Sequence, residues 1–253
     1  MATTAYETGK FVWFELYSPK PQNSKMFWCE LLGWKNQKQG DYDMLGPADN
    51  MALGLLDIAM LPPNTPPHFF SYLSVDDVDA KADAVARHGG RIERPPWDIP
   101  GIGRIAIVAD TEDAKLGLYR PETDAQASGP AEMPGTFTWN ELWAKNLDRA
   151  TAFYENTFGF FHNAMPMPAG GTYHVLTQGD QPRGGIMLSP QSDQPAAWLP
   201  FVRVEDTALV VKRAQNMGAK IDVAPTEVPQ WGVFAVIRDN VGATVGFATP
   251  RAP

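Results

Sequence analysis

The chain has 253 residues, 44% of them hydrophobic, with a formal net charge of −8 and a pI near 5.0. That length exceeds an ordinary domain of roughly 100 to 150 residues, so two domains are expected, each able to bury a core. The acidic balance argues against nucleic acid and anionic membrane surfaces as partners, and one cysteine excludes a disulfide framework or a thiolate zinc cage.

The first ten residues, MATTAYETGK, lack the character of a signal peptide, and no run of 18 apolar residues occurs, so a cytoplasmic protein is expected. A strand is predicted over 11–17, FVWFELY. A helix follows near 22–33, started by Asn23 or Ser24 and ended by Gly33. Within it, Cys29 lies in the apolar run SKMFWCELLGW and reads as a buried, inert thiol. Short strands are predicted around 41–46 and 51–58. The strand FFSYLSV then runs into Asp76 and Asp77, which open the helix DVDAKADAVARHG before Gly89 and Gly90 stop it. After a proline-rich turn, RIAIVAD and KLGLYRP alternate as strands.

The same order then recurs. Phe11, Trp13, Glu15, Phe27 and Gly33 match Phe137, Trp139, Glu141, Phe153 and Gly159 at an offset of 126 residues. Tyr42 matches Tyr173 at 131, and Asp77, Gly89, Pro100, Asp110, Gly117 and Pro121 match Asp206, Gly218, Pro229, Asp239, Gly246 and Pro250 at 129. The drift fits surface loops that change length around a kept core. Two domains, 8–121 and 135–250, are therefore expected, joined by a linker over 122–134, ETDAQASGPAEMP.

The motifs of both copies resemble one family. These are the pairs Phe27-Trp28 and Phe153-Tyr154, the helix ends LGW and FGF, the strand-to-helix segments VDDVDA and VEDTAL, and the endings ADTEDAKLGLYRP and RDNVGATVGFATP. Together they resemble the vicinal oxygen chelate superfamily, which includes glyoxalase I, bleomycin-resistance proteins and extradiol dioxygenases. The resemblance implies an α+β fold in which four βαβββ modules pair into two domains, with curved mixed sheets around clefts. It also implies where metal ligands would stand. A first-strand His corresponds to Trp13 and Trp139, a middle-strand His to Phe70 and Leu199, and a last-strand Glu to Gly117 and Gly246. For a fourth ligand, Asp57 is the nearby acid in the first copy and GGIMLSP offers none in the second. The standard metal site is expected to be missing and no cofactor is expected. A divalent metal on displaced ligands around His68 and Glu15 is the alternative.

Period-two alternation places Trp13, Glu15 and Tyr17 on one face, and likewise Trp139, Glu141 and Trp143. Thr138 and Asn140 fit the opposite, apolar face less well than Val12 and Phe14 do. With Phe70, Tyr173 and Leu199, the aromatic faces are expected to line two clefts, and the loop residues Trp97 and Trp231 to close over them. Such a lining suits a small apolar or aromatic molecule, or else the tryptophans fill a collapsed core. A carboxylate buried among aromatics is expected to have a raised pKa, which would fit Glu15 or Glu141 for general acid-base work in a lyase or isomerase. The other readings are ligand orientation and structural pairing, with Arg104 as the partner of Glu15. The remaining histidines, His88, His162 and His174, read as ordinary surface or core residues. No Ser-His-Asp set, phosphate loop or zinc motif stands out. The expected assembly is a monomer acting as an internal pseudo-dimer, or a homodimer.

Overall fold

A computed structural model describes residues 7–48, 50–123, 132–167, 170–190 and 193–251. The first repeat runs β1 (Phe11–Ser18), α1 (Pro21–Leu32), β2 (Lys35–Gln39), β3 (Tyr42–Gly46), β4 (Leu53–Asp57), β5 (His68–Ser74), α2 (Val78–Arg87), β6 (Arg91–Ile99), β7 (Gly103–Ala109) and β8 (Lys115–Pro121). The second runs β9 (Phe137–Ala144), α3 (Leu147–Phe158), β10 (Phe161–Pro166), β11 (Thr172–Gln178), β12 (Gln181–Leu188), β13 (Ala197–Arg203), α4 (Thr207–Asn216), β14 (Lys220–Val228), β15 (Gly232–Arg238) and β16 (Thr244–Pro250). Each repeat forms an eight-stranded mixed sheet, ordered β2-β3-β4-β1-β5-β8-β7-β6 and β10-β11-β12-β9-β13-β16-β15-β14.

This is the expected α+β arrangement of four βαβββ modules. In each module the first and last strands run parallel, as in β1 with β4 and β5 with β8, which requires a helical crossover. The strands between them return as antiparallel hairpins. Asp77 and Asp206 cap their helices, accepting the Ala80 and Leu209 N–H groups at 2.9 Å each. Gly33 and Gly159 end α1 and α3 in the left-handed region, with φ of 68° and 74°.

The local expectations need three corrections. Helix α1 begins at Pro21 behind Lys20, not at Asn23 or Ser24, because proline has no N–H to leave unsatisfied at a helix start. Ser24 is instead buried, its hydroxyl 2.7 Å from that of Ser18. The proline-rich "turn" at Pro95 and Pro96 belongs to β6, an edge strand whose register shifts around Arg94 and Trp97, and an edge tolerates residues that donate nothing to a ladder. Cys29 is half-buried, and burial raises its thiol pKa.

By contacts the described residues divide into two compact units that do not follow the repeats: those within 1–12, 71–129 and 139–198 form one, and those within 13–70, 130–138 and 199–253 the other. Of the expected linker, residues 124–131 lie outside those described.

The first unit is organised around Tyr154 of α3, which is fully buried. Its hydroxyl donates to Asp110 Oδ2 at 3.0 Å and accepts the Trp198 indole N–H at 2.8 Å. Asp110 also accepts the Glu112 and Ala114 N–H groups, and burial raises its carboxyl pKa.

In the second unit Trp28 of α1 takes the corresponding place. It is fully buried, stacked on Trp34 with ring centroids 5.6 Å apart and set edge-on to Phe69. Phe137 stacks on Phe14 at 4.1 Å, and the Trp34 indole N–H donates to Gly135 O at 2.8 Å. Among the described residues, no helix is long and apolar enough to cross a membrane.

Candidate functional site

Alternation along β1 buries Val12, Phe14 and Leu16 on one face and gathers Trp13, Glu15 and Tyr17 on the other. The second group forms a connected polar cluster among aromatic rings. Tyr42 Oη accepts the Trp13 indole N–H at 3.0 Å and donates to Glu15 Oε1 at 2.9 Å, while Tyr17 donates to Glu15 Oε2 at 3.0 Å. Tyr42 reaches Glu15 by lying across Gly54, the residue paired with Glu15 on β4. A Cβ on Gly54 would stand 1.7 Å from the tyrosine oxygen, so the close approach requires glycine. Beyond Tyr17, His68 stacks on its ring at 5.1 Å and Phe70 meets it edge-on at 6.4 Å. Only Glu15 and Phe70 of this group are buried; Trp13, Tyr17, Tyr42 and His68 are half-buried.

Strand β9 repeats the device. Tyr173 accepts the Trp139 indole N–H at 2.7 Å, hydrogen-bonds Glu141, and lies over Gly185, whose Cβ would come within 1.9 Å of its oxygen. Gly185 is again the residue paired with the glutamate. The difference is at the position of Tyr17. There Trp143 donates its indole N–H to Glu141 Oε1 at 2.7 Å, so a group that donates and accepts is replaced by one that only donates.

Burial holds the Glu141 carboxyl above the usual carboxylate range, partly offset by the Trp143 and Tyr173 hydrogen bonds. Burial, then the neighbouring glutamate, likewise pushes the Tyr42 and Tyr173 hydroxyls far above the phenol range. A carboxyl raised by folding favours the protonated folded state. Its contribution is therefore full below the ordinary Glu pKa of about 4.3 and is lost as pH rises toward the folded value. Glu141→Gln is expected to match the native chain near pH 4 and to become the more stable of the two as pH rises, by about 1.4 kcal/mol per pH unit within that window. Denaturant unfolding across pH tests this, and a pH-independent gap would contradict it.

The other expected site residues fall as follows. Leu199 is buried on β13. Trp97 is not in a loop but on β6, with the Arg94 guanidinium 3.6 Å above its ring. Trp231 does occupy a turn, between β14 and β15, and is 38% exposed. Arg104 pairs with Asp79 and Asp98, while the hydroxyls of Tyr17 and Tyr42 occupy the Glu15 oxygens. His68 Nδ1 donates to Pro66 O at 2.8 Å, and the ring it stacks on is the one bonded to Glu15. Asn140, on the opposite face of β9, is buried, and Ser71 donates to its Oδ1 at 3.4 Å.

Sequence reasoning missed Tyr42, although its match to Tyr173 was the available signal. It also missed the rings that cover two of the ligand positions. A Cβ at Gly117 would lie 2.1 Å from the Tyr72 ring, and one at Gly246 would lie 2.1 Å from the Phe201 ring. A groove of about 320 Å³ lies elsewhere, lined by Asn23, Met26, Phe27, Glu30, Met217 and Asn240, none of them an expected site residue.

The profile of the Glyoxalase/Bleomycin resistance protein/Dioxygenase superfamily matches residues 10–116 and 136–247, one segment in each repeat. The chain belongs to this superfamily. Within it, the chain is 32% identical over 252 residues to CFP32 of Mycobacterium bovis, a provisionally assigned glyoxylase, with 97% of this chain and 96% of that protein covered. It is 28% identical over 260 residues to the anthracycline biosynthesis protein DnrV of Streptomyces peucetius, covering 95% and 93%. Among solved structures, the Mn(II)-bound glyoxalase from Novosphingobium aromaticivorans shares the superfamily fold at a TM-score of 0.70 and 13% identity, covering 96% of this chain and 83% of that one.

Proposed function

We propose that the chain binds a small apolar or aromatic molecule against the aromatic faces of β1 and β9, without the divalent metal of metal-dependent superfamily members. The observation that carries this reading is the chemistry at the ligand positions. Trp13 and Trp139 offer indole N–H groups, which cannot coordinate and which are bonded to Tyr42 and Tyr173. Phe70 and Leu199 carry no donor atom. Gly117 and Gly246 lie under rings that leave no room for a carboxylate. These residues do not fit a metal, since affinity depends on ligand type and number.

What they fit is a flat, apolar ligand. Half-buried rings supply π surface, and the indole and phenol edges supply a few fixed polar contacts. The likeness to an anthracycline biosynthesis protein is in keeping with a polycyclic aromatic ligand. Tag-free, chelator-treated protein titrated with hydroxylated anthraquinones is expected to show saturable tryptophan quenching and a raised melting temperature, unchanged by Mn(II). Trp13→Ala should weaken the binding tenfold or more. Binding that appeared only on adding metal would remove the proposal.

A second reading is favoured by the glutamates, each buried and held by neutral donors. Either could exchange a proton with an apolar carbonyl or phenolic substrate, as a lyase or isomerase would require. Glu15→Gln and Glu141→Gln would then abolish turnover and spare binding, and full turnover in both would dismiss the idea.

A further inference from the structure

Histidines 162 and 174 stand outside both aromatic clusters, on the neighbouring strands β10 and β11. His162 pairs across the ladder with Leu176, two residues from His174, so both rings share one face of the hairpin. Their Nδ1 atoms approach to 2.8 Å, with the rings tilted by 54°. Both rings are half-buried. On the far side of His162, Nε2 lies 3.3 Å from Glu155 Oε1 on α3.

This arrangement determines where the protons lie. Glu155 favours a proton on His162 Nε2, which leaves the Nδ1 lone pair aimed at His174. His174 Nδ1 then donates the hydrogen bond between the rings. Burial, and next the neighbouring His162, lower the His174 pKa from the ordinary histidine value. The carboxylates of Asp148 and Glu155 act on the same ring in the opposite sense and place negative potential around the pair.

We propose that His162 and His174 form a binding site for one late first-row divalent ion, copper(II) or nickel(II), held between the two Nδ1 atoms. Two nitrogens about 2.0 Å from one metal lie about 2.8 Å apart when their bonds meet at a right angle, which is the separation already present. Imidazole suits these ions, and square-type geometry is theirs rather than zinc's. Because the hydrogen bond aims the Nδ1 atoms at each other, each ring turns by about 45° for both lone pairs to converge on the ion, and one proton moves. As the ion enters, His174 passes from the Nδ1–H to the Nε2–H form, exchanging its proton with solvent without net release. Glu155 then supports His162 from behind, as carboxylates do for metal-bound histidines. Among the described residues, no three His, Cys, Asp or Glu side chains surround a common point, so the protein provides two ligands and water the rest.

The test uses the full-length chain without a histidine tag. Calorimetric titration with NiCl₂ is expected to show one ion per chain, and His162→Gln or His174→Gln should each weaken binding at least tenfold. Glu155→Gln keeps both imidazoles and should weaken it about tenfold. The Cu(II) complex should show coupling to two imidazole nitrogens by electron paramagnetic resonance, reduced to one in either single variant. Circular dichroism and melting of each variant establish that it is folded. Absence of saturable binding, or binding unchanged in the double variant, would overturn the site. Anthraquinone binding should be unaffected by the double substitution, so failure here and failure of the cleft reading are separate results.

Discussion

Gly117→Glu, which restores a ligand residue of metal-dependent relatives, is expected to destabilise the chain by roughly 3 kcal/mol or more and to bind no Mn(II) in the cleft. The first new atom alone would stand 2.1 Å from the ring of Tyr72, the residue paired with Gly117 on the neighbouring strand. Either the ring must leave its place or β8 must move, and forced overpacking of this kind costs about 1–3 kcal/mol even for an apolar group. Placing a carboxylate under the ring without a partner adds to that. Gly117→Ala should show the smaller part of the loss, and Tyr72→Ala should relieve Gly117→Glu in the double variant. Denaturant unfolding of the four proteins measures both effects. A stable Gly117→Glu chain that took up manganese would show that the ring yields and would overturn the reading that these positions do not fit a metal.

Tyr154→Phe is expected to cost about 2–4 kcal/mol, a large effect for the loss of one oxygen. That oxygen sits between the Trp198 indole N–H, which it accepts, and Asp110 Oδ2, to which it donates. Phenylalanine keeps the packing against Trp198 and Phe158 but leaves a buried donor and a buried carboxylate oxygen unsatisfied, each worth about 1–3 kcal/mol. Trp198→Phe should cost less on the Tyr154→Phe background than alone, because the two groups share a single bond. A Tyr154→Phe chain within about 0.5 kcal/mol of the native one would mean that neither the Trp198 N–H nor Asp110 Oδ2 is left unsatisfied when the hydroxyl is removed.

Much of the fold could be read from the chain because it depends on local signals said twice. Asp77 and Asp206 cap their helices through bonds within four residues, and the face shared by Trp13, Glu15 and Tyr17 follows from alternation. Strand β2, KNQKQ, was not legible because all five residues are exposed and no apolar rhythm marks them. Its two lysines suit an edge that must not recruit another strand. Of the site, the burial of Glu15 and Glu141 could be foreseen, but their partners could not. Tyr42 reaches Glu15 only because β4 separates β3 from β1 and carries glycine at the crossing point, which is a matter of lateral strand order. The approach of His162 to His174 depends on hairpin register, and Arg104 finds Asp79 because α2 packs beside β7.

Because each compact unit takes its halves from different repeats, the peptide between them is not a border between two self-sufficient pieces. Cleavage between residues 123 and 132 would leave Asp110 on one fragment and Tyr154, its buried partner, on the other. Such a nick should yield two polypeptides that co-purify and melt together. A solitary repeat made from its own gene would carry two incomplete cores, and would satisfy them by trading halves with another copy of itself.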